Sequence, residues 1–222
     1  NFSRYGEVIV YDGGCFSMIG GSMFASSNGT NIRSGGVMSL SGVEVKNTVT
    51  NQGTLESTDC TYSSYIKIST TTGLSGSNNT FMGECFRLDG FSGVTGDLLP
   101  FLSEDCSDEV YIGFYGNIYT TTISNIADIL PGGYKLVYHL TVASGHTVTL
   151  EEGVSINQQN LDINVKGTLK AEYAEVADAF FSTTDGASLY VEKGGVVELQ
   201  NANINFSRYG EVIVYDGGCF SM

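Results

Sequence analysis

Apolar and polar residues alternate along most of this chain in short bursts, and each burst is broken by a turn that ends in glycine. EVIVYDGGCFSM, TNIRSGGVMSL, NTVTNQGTLES, EVYIGFYGNIYT, LDINVKGTLKAEY and LYVEKGGVVELQ all read as strand, turn, strand. A period of two marks a strand with one buried face, and bursts this short leave no room for an amphipathic helix. Taking Gly14, Gly36, Gly53, Gly73, Gly90, Gly116, Gly145, Gly167, Gly195 and Gly218 as junctions gives intervals of 17 to 29 residues. Four residues before the junction stand Val10, Ile32, Val49, Phe86, Ile112, Ile163 and Val191, with Ser69 and Thr141 as exceptions. Two residues after it stand Phe16, Met38, Leu55, Ile118, Leu169 and Val197. These two sets are predicted to form apolar columns that stack from coil to coil, while Ser, Thr, Lys and Glu face outward.

Short strands recurring at roughly this spacing, with no helix between them, predict an all-β fold: a right-handed parallel β-solenoid. A coil cannot bury its own apolar face; the next coil must do it. A sandwich of antiparallel strands has similar composition but predicts no equivalent columns.

A longer period encloses the short one. Asn1 to Met18 (NFSRYGEVIVYDGGCFSM) recurs without change at Asn205 to Met222, an offset of 204 residues. The junction intervals close at that same 204, so about nine irregular coils make one unit. Residues 1–204 are read as one repeat of a tandem array, and residues 205–222 as the start of the next. The copies are expected to superpose after an advance of about 43 Å, nine interstrand steps. The insertions Ser124 to Gly133 and Glu172 to Asp185 fall in the two longest coils, where they are expected to protrude as a turn or two of helix or to fold back onto a neighbouring coil.

Composition agrees with strands and tight turns: 29 Gly, 2 Pro, no Trp, 13 Tyr, 12 Phe and only 15% charged residues. Net charge is −14 for the chain, and −13 for the unit once the second copy's Arg208, Glu211 and Asp216 are set aside. The ten Lys and Arg are scattered, so no basic stripe is present and nucleic acid is excluded as a partner. No stretch reaches the length of a transmembrane helix.

Cys15, Cys60, Cys85 and Cys106 give an even count per unit, Cys219 being the copy of Cys15. Such a count in a chain this rich in Gly, Ser, Thr and Asn is compatible with disulfides in an oxidising, extracellular setting. The spacing favours a Cys85–Cys106 bridge, with Cys60–Cys85 as the alternative, since either separation is close to one coil. Sequons begin at Asn1, Asn28 and Asn78 and permit N-glycosylation.

Catalytic signals are sparse. Asp12, Asp89 and Asp185 precede glycines, where Asp is favoured by its own backbone hydrogen bonds. His139 and His146 flank one corner, with Glu151 and Glu152 following. Solvated strand positions account for them better than a metal or acid–base site. The acidic run Glu104, Asp105, Asp108 and Glu109 offers oxygens for Ca²⁺ but lacks the spacing and glycine of a dedicated loop. No GxGxxG in a βα setting, P-loop, GxSxG or CxxC occurs. No cofactor is expected.

With GTLKA at Gly167 to Ala171, GGVVE at Gly194 to Glu198 and DGGCF at Asp12 to Phe16 set beside alternating strands, the chain resembles the β-helical passenger regions of secreted bacterial surface proteins, the autotransporter and giant exoprotein adhesins. The likeness spans nearly the whole unit and is clearest from Tyr138 to Asn47 read across the repeat boundary. It implies an exported, elongated protein at the cell surface, although such passengers usually contain few cysteines. Tandem identity points the same way, because a fibre gains length and an adhesin gains avidity from equal units. The expected function is therefore non-enzymatic: a structural subunit of an extracellular filament or adhesin whose partners are adjacent repeats and glycans or neighbouring cell surfaces. The alternative is a polysaccharide-binding or polysaccharide-cleaving β-helix, which a face lined by Tyr and carboxylates would favour.

Overall fold

A computed structural model describes residues 7–24, 29–104, 106–171, 179–183, 186–200, 203–205 and 209–222. The chain divides into two compact units. One comprises Asn1–Arg87, Asp97–Tyr111 and Ile129–Gly132, the other Leu88–Gly96, Ile112–Asp128 and Gly133–Met222.

The first unit is a stack of three-strand coils. Val8–Val10, Thr30–Ile32, Val49–Asn51 and Ile66–Thr70 form one parallel ladder. Cys15–Ile19, Val37–Ser41, Thr54–Thr58 and Leu74–Ser77 form the second. Ser22–Met23, Glu44–Val45, Thr61–Tyr62 and Thr80–Phe81 form the third. Each side chain therefore lies over its counterpart in the next coil. Phe16, Met38, Leu55 and Leu74 line up inward, while Ser17, Ser39, Glu56 and Ser75 line up outward.

The second unit repeats the plan. Tyr111–Ile123 bends through two corners and joins three ladders: Ile112 pairs with Tyr134, Ile118 with Val142, and Thr121 with Val148. Those ladders continue to Ile156, Phe181 and Ile204, to Val165, Val191 and Val214, and to Leu169, Val197 and Phe220. The fold is a β-solenoid with about nine turns supplied by the two units.

The register corrects several sequence alignments. Gly14, Gly36 and Gly53 share one corner, and Gly167, Gly195 and Gly218 share another. Gly73 and Gly145 are each one residue out of line, because Leu74 pairs with Leu55 and Thr147 with Thr168. Gly116 pairs with Leu140 at the preceding corner, and Gly90 lies inside the strand Glu84–Val94. Long strands run through those corners without a glycine junction.

Two columns also slip by two residues. Ile32 pairs with Asn51 and not with Val49, since Arg33 to Gly36 fills one corner where Gln52 and Gly53 fill the next. Val191 pairs with Val165 and not with Ile163, for the same change in corner length. A slip of two preserves the face on which a strand residue lies. Val10, Ile32, Met38, Val49, Leu55, Ile112, Ile118, Ile163, Leu169, Val191 and Val197 are accordingly all buried, and Phe16 is half-buried. Ser69 is exposed because Ile68 takes the inward place.

One corner of the first unit demands a left-handed backbone in every coil. Gly20, Gly42, Asp59 and Asn78 occupy it with φ of 63°, 61°, 56° and 56°. Those residue types tolerate this region best. Immediately inside it, Val43, Cys60 and Asn79 point into the core. A cluster of Tyr62, Phe81, Phe86 and Phe101 fills the same end, with Tyr62 stacked on Phe81 at 4.7 Å.

The first insertion, Ser124 to Gly133, is not a protruding helix. Ile126 and Leu130 are buried there while Ile129 is 42% exposed, so its apolar residues divide between core and surface. Of the second, Ala179–Thr183 is a strand, and residues 172–178 and 184–185 lie outside the described residues. The described helical turn is a 3-10 segment elsewhere, Thr95–Phe101.

Candidate functional site

The repeated segment is described over Glu7–Met18 in the first copy and at Asn205 and Tyr209–Met222 in the second, and the two copies have different settings. In the first copy Val8, Ile9 and Val10 pair with Thr30, Asn31 and Ile32, residues that follow them in the chain. In the second copy the same residues, Val212, Ile213 and Val214, pair with Leu189, Tyr190 and Val191, which precede them. Cys15 likewise pairs with Val37, and Cys219 with Val196. The turn has the same form in both: Gly14 N–H donates to Tyr11 at 2.8 Å and Gly218 N–H to Tyr215 at 2.9 Å, with φ of 69° at Gly13 and 79° at Gly217.

The two settings use different backbone groups. Towards the following coil, the carbonyls of Val10 and Gly14 accept from Arg33 and Val37, and Gly13 N–H donates to Gly35. Towards the preceding coil, Tyr215 and Cys219 donate to Val191 and Gly195, and the carbonyls of Glu211 and Gly217 accept from Leu189 and Gly194. Transferred to one copy, these sets do not overlap, so a single copy is able to bond on both edges at once. Side-chain burial is one-sided in the same sense. Val10 is 5% exposed whereas Val214, the same residue of the repeat, is 46% exposed.

The cysteines are free thiols. Cys85 donates to the Tyr111 carbonyl at 3.2 Å, Cys106 to Ser103 at 3.1 Å and Cys60 to Thr58 at 3.4 Å. Neither the Cys85–Cys106 nor the Cys60–Cys85 bridge is present in this structure. Burial drives the Cys85 thiol pKa well above its ordinary value. Cys15 and Cys219 are exposed.

Asn1 and Asn28 lie outside the described residues. Asn78 is exposed and donates from Nδ2 to Asp59 Oδ1 at 2.6 Å. Glu104, Asp108 and Glu109 are exposed and Asp105 lies outside the described residues. Among the described residues no three His, Cys, Asp or Glu side chains converge as a metal site requires. The histidines part company: His139 contacts Asp162, and His146 contacts Thr120 and the Tyr119 ring. No helix among the described residues is long and apolar enough to cross a membrane.

Sequence reasoning missed three features. Asn79, read only as the middle of a sequon, is fully buried and hydrogen-bonded to Ser57, Cys60 and Phe101. Gln158 is fully buried with neither amide atom partnered. Tyr115 and Tyr138 stack on the outer surface at 4.9 Å. Strict alternation along Tyr134–Val142 would turn Tyr138 inward with Leu136 and Leu140; the register shift between the two strands turns it outward, so the sequence carried no signal for this pair. No protein-family model, no curated protein and no solved structure matches this chain.

Proposed function

We propose that this chain is a structural, non-catalytic repeat of an extracellular filament or giant surface adhesin, in which 204-residue solenoid units follow one another end to end. The observation that carries this reading is the complementary use of the shared segment: one copy bonded on its following edge, the other on its preceding edge, with none of the backbone groups named above used twice. A copy bonded on both sides joins two units without any new surface. Unpaired strand edges otherwise invite uncontrolled association, and continuous stacking removes them. The excess of acidic residues, 24 against 10 basic, keeps neighbouring fibres apart by repulsion that salt weakens.

Electron microscopy of the natural material tests this. Thin unbranched fibres with an axial repeat of about 43 Å, nine interstrand steps, support it. Globular monomers that cleave polysaccharides refute it.

A further inference from the structure

A corner of the second unit carries rings that the stacking of coils does not require. Between Phe114↔Leu136 and Gly116↔Leu140 one strand has Tyr115 alone, while the other has Val137, Tyr138 and His139. The two extra residues push this corner outward. Tyr138 lies on Tyr115 with centroids 4.9 Å apart and planes 29° apart, and His139 meets Tyr138 edge-on at 5.6 Å and 82°.

His139 is itself fixed. Its Nδ1 accepts the Asp162 amide proton at 3.0 Å, and Ser188 N–H donates to Asp162 Oδ1 at 3.0 Å. Asp162 Oδ2 also stands 3.2 Å from Nδ1. Nδ1 is thus engaged by Asp162, and Nε2 is the ring nitrogen left for a ligand. Despite two ring contacts, Tyr138 remains 50% exposed.

We propose that this corner binds a neutral β-linked polysaccharide, with a pyranose ring laid on Tyr138 and a sugar hydroxyl accepting from His139 Nε2–H. A pyranose with equatorial hydroxyls has C–H faces and a polar rim. Tyrosine beside a fixed donor matches both halves, an apolar body next to a polar contact. A protein partner would call for a broader apolar patch; here Val137 is the one aliphatic neighbour, beside Asn117, Lys135 and His139. Nucleic-acid bases also stack on tyrosine, but a chain of net charge −14 repels polyphosphate and acidic glycans alike. This inference stands independently of the filament reading; if both hold, each unit adds one weak site and the array gains avidity.

Calorimetric titration of the whole 222-residue chain tests it, with cellohexaose and chitohexaose as neutral probes and polygalacturonate as the acidic one. Binding of a neutral probe is expected with Kd on the order of 1 mM, a value typical of one small shallow contact. Tyr138→Ala should weaken it about tenfold or more, His139→Ala about threefold or more, and Tyr138→Trp should retain it. Tyr215→Ala, which alters a ring stacked on Tyr190 elsewhere, should leave it unchanged. Far-ultraviolet circular dichroism confirms that each variant folds. Failure of both neutral probes to bind, binding that survives Tyr138→Ala, or preference for polygalacturonate overturns the proposal.

Discussion

Replacing Asn79 by leucine should destabilise the first unit by about 3 to 5 kcal/mol, although the two side chains have similar volume. Tyr62 O–H donates to Ser57 Oγ at 2.7 Å, and Ser57 O–H donates in turn to Asn79 Oδ1 at 2.9 Å. Oδ1 also accepts Cys60 N–H at 3.1 Å, and Nδ2 donates to the carbonyls of Ser57 and Phe101 at 2.8 Å each. Four bonds at about 1 kcal/mol net, plus about 1 to 3 kcal/mol for stranding the buried Cys60 amide, are offset in part by the added apolar surface of leucine.

Asn79→Asp separates the donors from the acceptor. It keeps Oδ1 but turns a carboxylate lone pair on two carbonyls, so the folded state should favour the protonated acid. A carboxyl whose folded pKa is raised contributes stability below its unfolded pKa and loses it as pH rises through the folded one. Asn79→Asp should therefore lie nearest the parent in acid and fall furthest behind at neutral pH. The chain has no Trp and 13 Tyr, so tyrosine fluorescence follows urea unfolding of the chain as a whole, and the parent and variant midpoints are compared. An Asn79→Leu transition within about 1 kcal/mol of the parent would refute the assigned role.

Other substitutions test separate parts of the fold. Gln158→Met should raise stability by about 1 to 3 kcal/mol, because it removes two buried amide groups that have no partner; an unchanged or lower urea midpoint contradicts this. Gly53→Ala places a Cβ against the carbonyls of Arg33 and Gly36, closer than real Cβ atoms stand, and should cost about 2 kcal/mol or more. Gly83→Ala meets nothing within 4 Å and should stay within about 0.5 kcal/mol of the parent, so equal melting temperatures for the two variants would remove the steric argument. Burial raises the pKa of both Cys85 and Tyr62. The unfolded chain then loses these protons first, and stability should decline as pH rises above about 8.5 to 10, the ordinary thiol and phenol values. A melting temperature flat from pH 8 to 11, the window set by those ordinary values, would count against it.

The solenoid was legible because its two signals are robust. Alternation survives errors of register, so Val49 and Val191 were placed inward even though their partners were misassigned by two residues. Glycine junctions were a weaker guide. Where strands bend through corners, as in Tyr111–Ile123, glycine marks an outward bulge and not the end of a coil. Polar residues inside the core left no trace in the pattern: Asn79 sits in the polar run GSNNT, and Gln158 in INQQN. Their burial follows from stacking in three dimensions, which a single strand's composition does not encode. The cysteine spacing was a poor guide to the coil, since Thr61 pairs with Thr80 and the residue one coil on from Cys60 is therefore Asn79 and not Cys85. The Tyr115–Tyr138 pair depends on a bulge of two residues, visible only once both strands are paired.

The central claim is that one copy of the 18-residue segment joins successive units. A protein extended by one further 204-residue period has such a copy in its interior, and its structure by electron cryomicroscopy reads the joint directly. The account predicts that the interior Val-Ile-Val strand pairs in parallel on one edge as Val212–Val214 pairs with Leu189–Val191, and on the other as Val8–Val10 pairs with Thr30–Ile32. Equivalent atoms one period apart should then be related by an axial advance of about 43 Å. An interior copy left unpaired on either edge, or periods connected by a flexible hinge, would contradict it.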